Sequence, residues 1–253
     1  MIVTPDTPNL VSTILDQRWR RRLLADGDSW FSIGGWTGNL LMALDDPDTL
    51  IVNCAYPGDE LADSRAIGND EFAQLLAPTH GLPAWDAALL SAGGNDVIKA
   101  CSRFVRRAPE PGPHLWIDYD ALLEAVSDFE QHLVRFMRLC QAGQPGVPVL
   151  CHTYDYPPVR RRTWFWRLGP WIAPVFRAAG IPSSEWESAV ETMIDELAHR
   201  MHNVAADYPL LVVDTRGTLL PEHWRNEIHP SLTGYSLLAK PWRRLLDKAT
   251  SAN

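Results

Sequence analysis

Two long stretches of the chain repeat apolar residues at steps of three and four. The first stretch carries them at Leu122, Val126, Phe129, Leu133, Phe136 and Cys140. The second carries them at Trp186, Val190, Met193, Leu197, Met201 and Val204. This spacing places the apolar side chains on one stripe of an α-helix, so both stretches predict amphipathic helices that pack on a core.

Five shorter apolar runs show a different pattern, because each is apolar on both faces and is followed by glycine or polar residues. They are Leu23–Asp26, Leu50–Ala55, Ala87–Ala92, Pro148–Thr153 and Leu210–Asp214. Such runs are typical of buried parallel strands. Their alternation with helical segments predicts a doubly wound parallel sheet with helices on both faces.

The chain has 253 residues, of which 46% are hydrophobic and 21% are charged, an ordinary composition for a globular protein. There is no internal repeat and no low-complexity linker, so we expect one domain over residues 1–253. Residues 157–182 interrupt the alternation with a connection that carries Trp164, Trp166 and Trp171 among prolines and arginines. A connection of this length is either a structural flap or a substrate-binding lid, and the sequence leaves both open.

Composition excludes several classes of partner. The net charge of -8 argues against nucleic acid, and no apolar run approaches the ~20 residues of a membrane span. The first residues have neither a basic start nor an apolar stretch, so we expect a cytoplasmic protein without a signal peptide. The four cysteines lack C-x-x-C spacing, so we expect free thiols and no metal site. No phosphate-binding loop is present, which argues against a flavodoxin-type cofactor binder, and we expect no cofactor.

Residues able to do chemistry cluster directly after the predicted strands. They are Asp28–Ser29, Gly58–Asp59, Gly93–Asp96, Asp155 and Asp214, with His229 in the loop beyond the fifth strand. In doubly wound sheets, ligands bind at the carboxyl ends of the strands. The sequence therefore predicts a functional site at this edge.

Each of these segments also has a plain structural reading. Ser29 lies in G-D-S-W-F, where a hydroxyl at a strand-to-helix turn is exposed, but G-D-S is also good turn and N-cap chemistry. Gly58 allows close backbone approach to a ligand or simply makes a turn. The Asn95 amide, after two glycines, can face a carbonyl oxygen or form an Asx turn. His229, in N-E-I-H-P, is an available base near neutral pH.

Taken together, the four segments resemble the GDSL/SGNH hydrolase family, whose four blocks occur here in the same order from about Leu23 to Lys240. The resemblance implies a flavodoxin-like α/β/α sandwich of three layers with a five-stranded parallel sheet. It implies Ser29 as nucleophile and His229 as general base. It also implies an oxyanion hole built from the Ser29 and Gly58 N–H groups and the Asn95 side chain.

The chain departs from the family pattern at one position. The family has D-x-x-H, whereas Asn226 stands three residues before His229 here. Three residues are candidates for orienting the imidazole: Asn226 itself, the adjacent Glu227, and Asp214 at the end of the fifth strand. We expect Asn226 to fill the family position and Glu227 to supply negative charge.

The expected activity is hydrolysis of a small-molecule carboxylic ester through an acyl-enzyme, as in esterases, lipases and lysophospholipases. Two alternatives stay open. One is a carbohydrate O-deacetylase with the same serine and histidine, because the tryptophans of residues 157–182 could stack on sugar rings. The other is a catalytically decayed binding module, for which the missing aspartate is the only argument. The oligomeric state is left open as well.

Overall fold

The computed structural model describes residues 1–34, 38–61, 67–77, 81–110, 115–159 and 169–250, in which strands and helices alternate. The strands are β1 (Ile2–Val3), β2 (Arg21–Gly27), β3 (Thr49–Asn53), β4 (Ala87–Ser91), β5 (Val149–His152) and β6 (Leu210–Val213). The helices are α1 (Leu10–Leu15), α2 (Ser29–Ser32), α3 (Leu40–Leu44), α4 (Asp70–Leu76), α5 (Gly94–Phe104), α6 (Tyr119–Gly143), α7 (Ile172–Ala179), α8 (Trp186–Asp207) and α9 (Leu232–Thr250). Short 3-10 turns cover Ser183–Glu185 and Pro221–His223.

All strand pairs in the described part of the chain are parallel, and the sheet order is β1-β3-β2-β4-β5-β6. The predicted fold class is confirmed, and each of the five predicted strands is present. The predicted strand number is wrong by one, because β1 adds a sixth strand that pairs Ile2 with Ile51 and Val3 with Val52. A two-residue strand is too short to leave a recognisable pattern in the sequence.

Helices cover both faces of the sheet, as the double-sided burial of the strands requires. Strands β3, β4 and β5 are buried almost throughout, with Leu50, Ala88 and Leu150 fully inaccessible. One group of helices is formed by α9, which packs on α3, and the other by α4, α5 and α8, which pack on α6. The periodic apolar residues of α6 and α8 point into this core, as the sequence pattern predicts.

The strand order fixes where a site can form. The chain runs from β2 to β3 on one side and then crosses to β4 on the other side, so the direction of winding reverses between β2 and β4. Ligand crevices of doubly wound sheets lie at this reversal, beyond the carboxyl ends of the strands. Ser29 directly follows β2, and Asn95 follows β4, so both lie at this edge.

Two further observations concern the described residues taken together. Within the described ranges, no helix has the length and apolar content needed to cross a bilayer. The four cysteines are free thiols, three of them buried, with Cys54 partly accessible.

Candidate active site

The turn that carries Ser29 is held by the two residues before it. Gly27 has φ +144° and lies so close to β4 that a Cβ would come within 2.3 Å of the Ser91 carbonyl oxygen, so only glycine fits. Asp28 is the N-cap of α2, and its Oδ1 accepts from the Trp30 N–H at 3.0 Å. The interpretation of G-D-S as a turn and an N-cap is therefore correct for Gly27 and Asp28. These two residues place Ser29 at the start of α2.

His229 reaches Ser29 across the edge of the sheet. Its Nε2 lies 2.9 Å from Ser29 Oγ, and its Nδ1 lies 3.1 Å from Asn226 Oδ1. The same Asn226 oxygen accepts from the backbone N–H groups of Ile228 and His229 at 3.0 and 2.8 Å, which closes the loop around it. The structure thus brings together Ser29, His229 and Asn226, three of the residues selected from the sequence.

The surroundings of His229 favour a neutral imidazole. The residue is 6% exposed, and burial lowers the pKa of its side chain to about 4. The Trp171 ring meets the imidazole edge-on, with 5.6 Å between ring centroids. Among the residues that the structure describes, no carboxylate contacts the imidazole to oppose the effect of burial, because an amide occupies the position at Nδ1.

The candidate oxyanion residues all follow strand ends at the same edge of the sheet. Asn95 lies in the first turn of α5 and lines a cleft together with Ser29. One proton of the Asn95 amide is donated to the Asp59 carbonyl at 2.9 Å, which fixes the side chain. The second proton has no acceptor among the described residues. Gly58 has φ +88°, and its carbonyl accepts from Lys99 Nζ at 3.1 Å. Gly58 is not among the described residues that line the cleft.

The structure places Glu227 differently from the expectation that it charges His229. Its carboxylate is fully buried and accepts from the N–H groups of Trp171, Ile172 (2.8 Å) and Ala173 (2.9 Å) at the start of α7. Unpaired N–H groups and the positive end of the helix dipole attract a carboxylate there, which is why Glu227 turns away from the imidazole.

Asp214 also lies elsewhere. It accepts from Arg216 and from the Thr153 hydroxyl at 3.0 Å, and the Arg216 guanidinium holds the pKa of this carboxyl at about 2. Both carboxylate candidates thus have other partners. Asn226 is the predicted orienting residue that the structure places at Nδ1.

A mostly apolar cleft opens beside Ser29. Its apolar walls come from α5, α7, α8 and the histidine loop: Val97, Ile98, Ile172, Val190, Met193, Ile194, Trp224 and Ile228. Polar residues of the lining include Asn95, Tyr154 and Asp155. The Trp-rich insertion thus reaches the cleft through Pro157 and Ile172, whereas Trp164 and Trp166 lie outside the described residues.

A second serine–histidine pair lies beneath the first. His152 Nε2 is 2.9 Å from Ser91 Oγ, and both residues are fully buried at the ends of β5 and β4. The Ser91 hydroxyl donates to Asp28 Oδ1 at 2.7 Å, and the Tyr154 hydroxyl donates to Asp28 Oδ2. Burial raises the pKa of the Asp28 carboxyl to about 6, although these hydrogen bonds oppose the rise.

Sequence reasoning missed this buried network. Ser91 opens the S-A-G-G-N-D block, and Tyr154 precedes Asp155, so both lie beside residues that were selected. Only the register of the sheet, which pairs Gly27 with Ser91, brings them under Asp28. The one available signal was their position at strand ends, which many structural residues share.

A doubly wound sheet with a serine–histidine pair at its winding reversal defines a class of hydrolases with three α/β/α layers. A model of the GDSL-like lipase/acylhydrolase family matches residues 17–237, and the chain belongs to this family. Among curated proteins, none is similar enough in sequence to match it.

Solved structures are similar to the chain in fold. The lipase Lip_vut3 from a goat rumen metagenome has a TM-score of 0.56 at 15% identity, covering 88% of this chain and 96% of its own. A carbohydrate esterase of family 3 from Talaromyces cellulolyticus scores 0.54 at 12% identity, covering 92% and 99%. An extracellular lipase from Streptomyces rimosus scores 0.53 at 16% identity, covering 90% and 99%. At these identities the likeness concerns the fold.

Proposed function

We propose that this hydrolase cleaves carboxylic esters through an acyl-enzyme on Ser29. The observation that carries the proposal is the chain of contacts from Asn226 Oδ1 to His229 Nδ1 and from His229 Nε2 to Ser29 Oγ, at 3.1 and 2.9 Å. The Asn226 oxygen can only accept, so the Nδ1 atom carries the proton and Nε2 is left with a lone pair. This tautomer is the one that can take a proton from the Ser29 hydroxyl.

The reaction follows from this geometry. His229 Nε2 takes the hydroxyl proton as Ser29 Oγ attacks the ester carbonyl, and the carbonyl oxygen becomes an oxyanion. The Ser29 N–H at the start of α2, the free Asn95 amide proton and the Gly58 N–H are the proposed oxyanion donors. The imidazolium then returns its proton to the departing alcohol. Water, deprotonated by His229 in turn, attacks the acyl carbon, and the Ser29 oxygen leaves with the proton from the imidazolium, which releases the acid.

The cleft favours an apolar acyl group over a sugar. Its walls are mainly apolar, with Val97, Ile98, Val190 and Ile194 among them, whereas sugar hydroxyls need a polar partner for each group they bury. The lipase or esterase reading is therefore the one the described lining supports. Preferential turnover of acetylated sugars is the competing outcome of the experiment.

The experiment is a turnover series on p-nitrophenyl esters of increasing acyl length, with acetylated sugars in parallel and Ser29→Ala as control. Each methylene buried in the cleft is worth about 0.8 kcal/mol, so kcat/KM should rise roughly fourfold per added carbon until the cleft is full. Faster turnover of acetylated sugars than of any longer acyl ester would favour the deacetylase. Lack of turnover together with lack of fluorophosphonate labelling at Ser29 would favour a binding module.

A further inference from the structure

Tyr154 adopts a backbone conformation that needs an explanation. Its φ is +60°, in the left-handed region that bulky residues rarely occupy. The residue follows β5 and is 5% exposed. Its N–H donates to His152 Nδ1 at 3.3 Å, and its carbonyl accepts from the Thr153 hydroxyl at 3.2 Å. These bonds hold the unfavourable conformation, which aims the phenol under the nucleophile turn.

The Tyr154 side chain joins the two halves of the candidate site. Its hydroxyl donates to Asp28, the residue before Ser29, and its ring carbons pack against Gly94, the residue before Asn95. Gly94 lies in the first turn of α5. One side chain thus links the turn that carries the nucleophile to the turn that carries the amide.

Contacts of the Tyr154 ring also set the spacing between these two turns. A Cβ on Gly94 would lie 2.8 Å from the ring carbons, so the α5 turn rests directly on the phenol face. On another side the ring meets Trp30 edge-on, with centroids 4.8 Å apart. Trp30 in turn donates from its indole to the Ile228 carbonyl at 2.9 Å, in the loop that carries His229.

We propose that Tyr154 is a positioning residue that sets the Asn95 amide relative to Ser29 through its hydroxyl bond to Asp28 and its ring contact with Gly94. The proposal rests on the function proposed above, since it gives Asn95 a place in stabilising the oxyanion. Tyr154 acts through other residues, so its removal should reduce the rate while substrate binding stays the same.

The test is Tyr154→Phe, which removes the hydroxyl and keeps the ring. Its matched control is Tyr156→Phe, two residues along, whose hydroxyl donates to Asp195 at the surface at 2.6 Å. We expect Tyr154→Phe to lower kcat by roughly tenfold or more with KM within about twofold, since only a transition-state interaction is lost. Tyr156→Phe should stay close to wild type.

A double-mutant cycle with Asn95→Ala separates positioning from simple packing. If Tyr154 acts through Asn95, Tyr154→Phe should cost less than about threefold once the amide is gone, because contacting residues are not additive. Equal costs in both backgrounds, or a lower Tm with unchanged kcat, would overturn the proposal. If Tyr154→Phe does not fold, Asp28→Asn keeps the ring and weakens the same bond, and it must show the same loss and the same non-additivity.

Hydrogen exchange tests the link independently of ester turnover. Without its bond to Asp28 the ring holds the α5 turn less firmly, so exchange of the Gly94 amide should speed up in Tyr154→Phe, with no such change in Tyr156→Phe. Unchanged exchange at Gly94 would overturn the proposed link even if no ester were hydrolysed. Conversely, faster exchange at Gly94 in a protein without ester turnover would preserve the link and reject the proposed function.

Discussion

The described part of the chain contains two serine–histidine pairs with the same Nε2 to Oγ distance of 2.9 Å, and they differ in the partner of the other imidazole nitrogen. At His229, Nδ1 faces the Asn226 oxygen, an acceptor. At His152, Nδ1 faces the N–H of Tyr154, a donor. The first imidazole therefore carries its proton on Nδ1, and the second carries it on Nε2.

The opposite tautomers give the two serines opposite roles. His229 Nε2 can accept the Ser29 proton, whereas His152 Nε2 donates to Ser91, whose own hydroxyl donates to Asp28. Burial also lowers the pKa of His152 to about 3, and Ser91 is fully inaccessible, whereas Ser29 lines the cleft. A short serine–histidine distance is therefore insufficient to identify a catalytic pair, and the partner of the second nitrogen decides.

The largest expected effect separates the two serines. Ser29→Ala should lower kcat on the order of 10⁶-fold, as removal of a nucleophile does in serine hydrolases. Ser91→Ala should lower activity by at most about tenfold and should mainly destabilise the fold, since it leaves Asp28 and His152 with a lost partner, at a cost of about 1–3 kcal/mol. Steady-state kinetics and thermal unfolding of both variants measure the contrast.

Covalent labelling gives the same comparison without substrate. A fluorophosphonate should modify the peptide that contains Ser29 and leave the peptide that contains Ser91 unmodified. Modification at Ser91, or full activity of Ser29→Ala, would reverse the assignment of the two pairs.

Substitution of Asn95 should produce the next largest effect. Of the two serine–histidine pairs, we expect oxyanion donors only beside Ser29 and His229. Asn95→Ala should lower kcat by roughly 10² to 10³ with little change in KM. Its bond to the Asp59 carbonyl makes a structural role the competing explanation. A variant that loses thermal stability but keeps its kcat would show that Asn95 only holds the turn.

The pH dependence should distinguish the two imidazoles. His229 accepts a proton only when it is neutral, and burial lowers its pKa to about 4, so kcat/KM should fall only as the pH drops through about 4. In Asn226→Asp, a carboxylate at the same position stabilises the imidazolium and raises this pKa. The acid limb should then move to higher pH, and kcat near neutrality should be maintained or rise by up to about tenfold.

The control for this profile is a substitution at the buried pair. His152→Gln should leave the acid limb of kcat/KM where the wild type has it, whatever its effect on stability. If His152→Gln shifts the acid limb and Asn226→Asp does not, the group that titrates is His152 and not His229.

Prediction from the sequence succeeded for features encoded by nearby residues and failed for contacts between residues far apart in the chain. Apolar periodicity predicted α6, α8 and five strands, since burial of one element is written in its own residues. Ordered motifs selected Ser29, Asn95 and His229, which the structure places at one edge. Tyr154 lies 126 residues from Asp28, and only strand register joins them, so no local pattern could reveal that contact.

Glu227 shows why adjacency misleads. Its neighbour Asn226 faces His229, and a negative charge next to the histidine motif suggested a role on the imidazole. The carboxylate instead binds N–H groups of α7 that lie 54 to 56 residues away in the sequence. A helix N-terminus offers several donors at once, which outweighs one ring N–H.

The smallest expected effect concerns the Glu227 clamp, by which we mean the hydrogen bonds from the start of α7 in the Trp-rich insertion to Glu227 in the histidine loop. Glu227→Gln keeps one acceptor oxygen and removes the charge, so the start of α7 loses hydrogen bonds worth about 1–3 kcal/mol. Thermal unfolding should shift down by about 2–4 °C for each kcal/mol lost in a chain of this size. Because Trp171 is anchored by Glu227 and lies against His229, kcat should also fall severalfold. The pH of the acid limb should not change, since the carboxylate does not face the imidazole.

The matched control is Asp214→Asn, which alters a carboxylate at the same edge that binds Arg216. It should cost less activity than Glu227→Gln, because it touches neither α7 nor the histidine loop. If Asp214→Asn proves the more damaging, the partner of His229 comes from the end of β6. If Glu227→Gln instead moves the acid limb to lower pH, its charge does act on His229. The Glu227 clamp is supported only if Glu227→Gln lowers both stability and kcat while the pH of the acid limb of kcat/KM stays the same. That combination requires Glu227 to act through the position of Trp171.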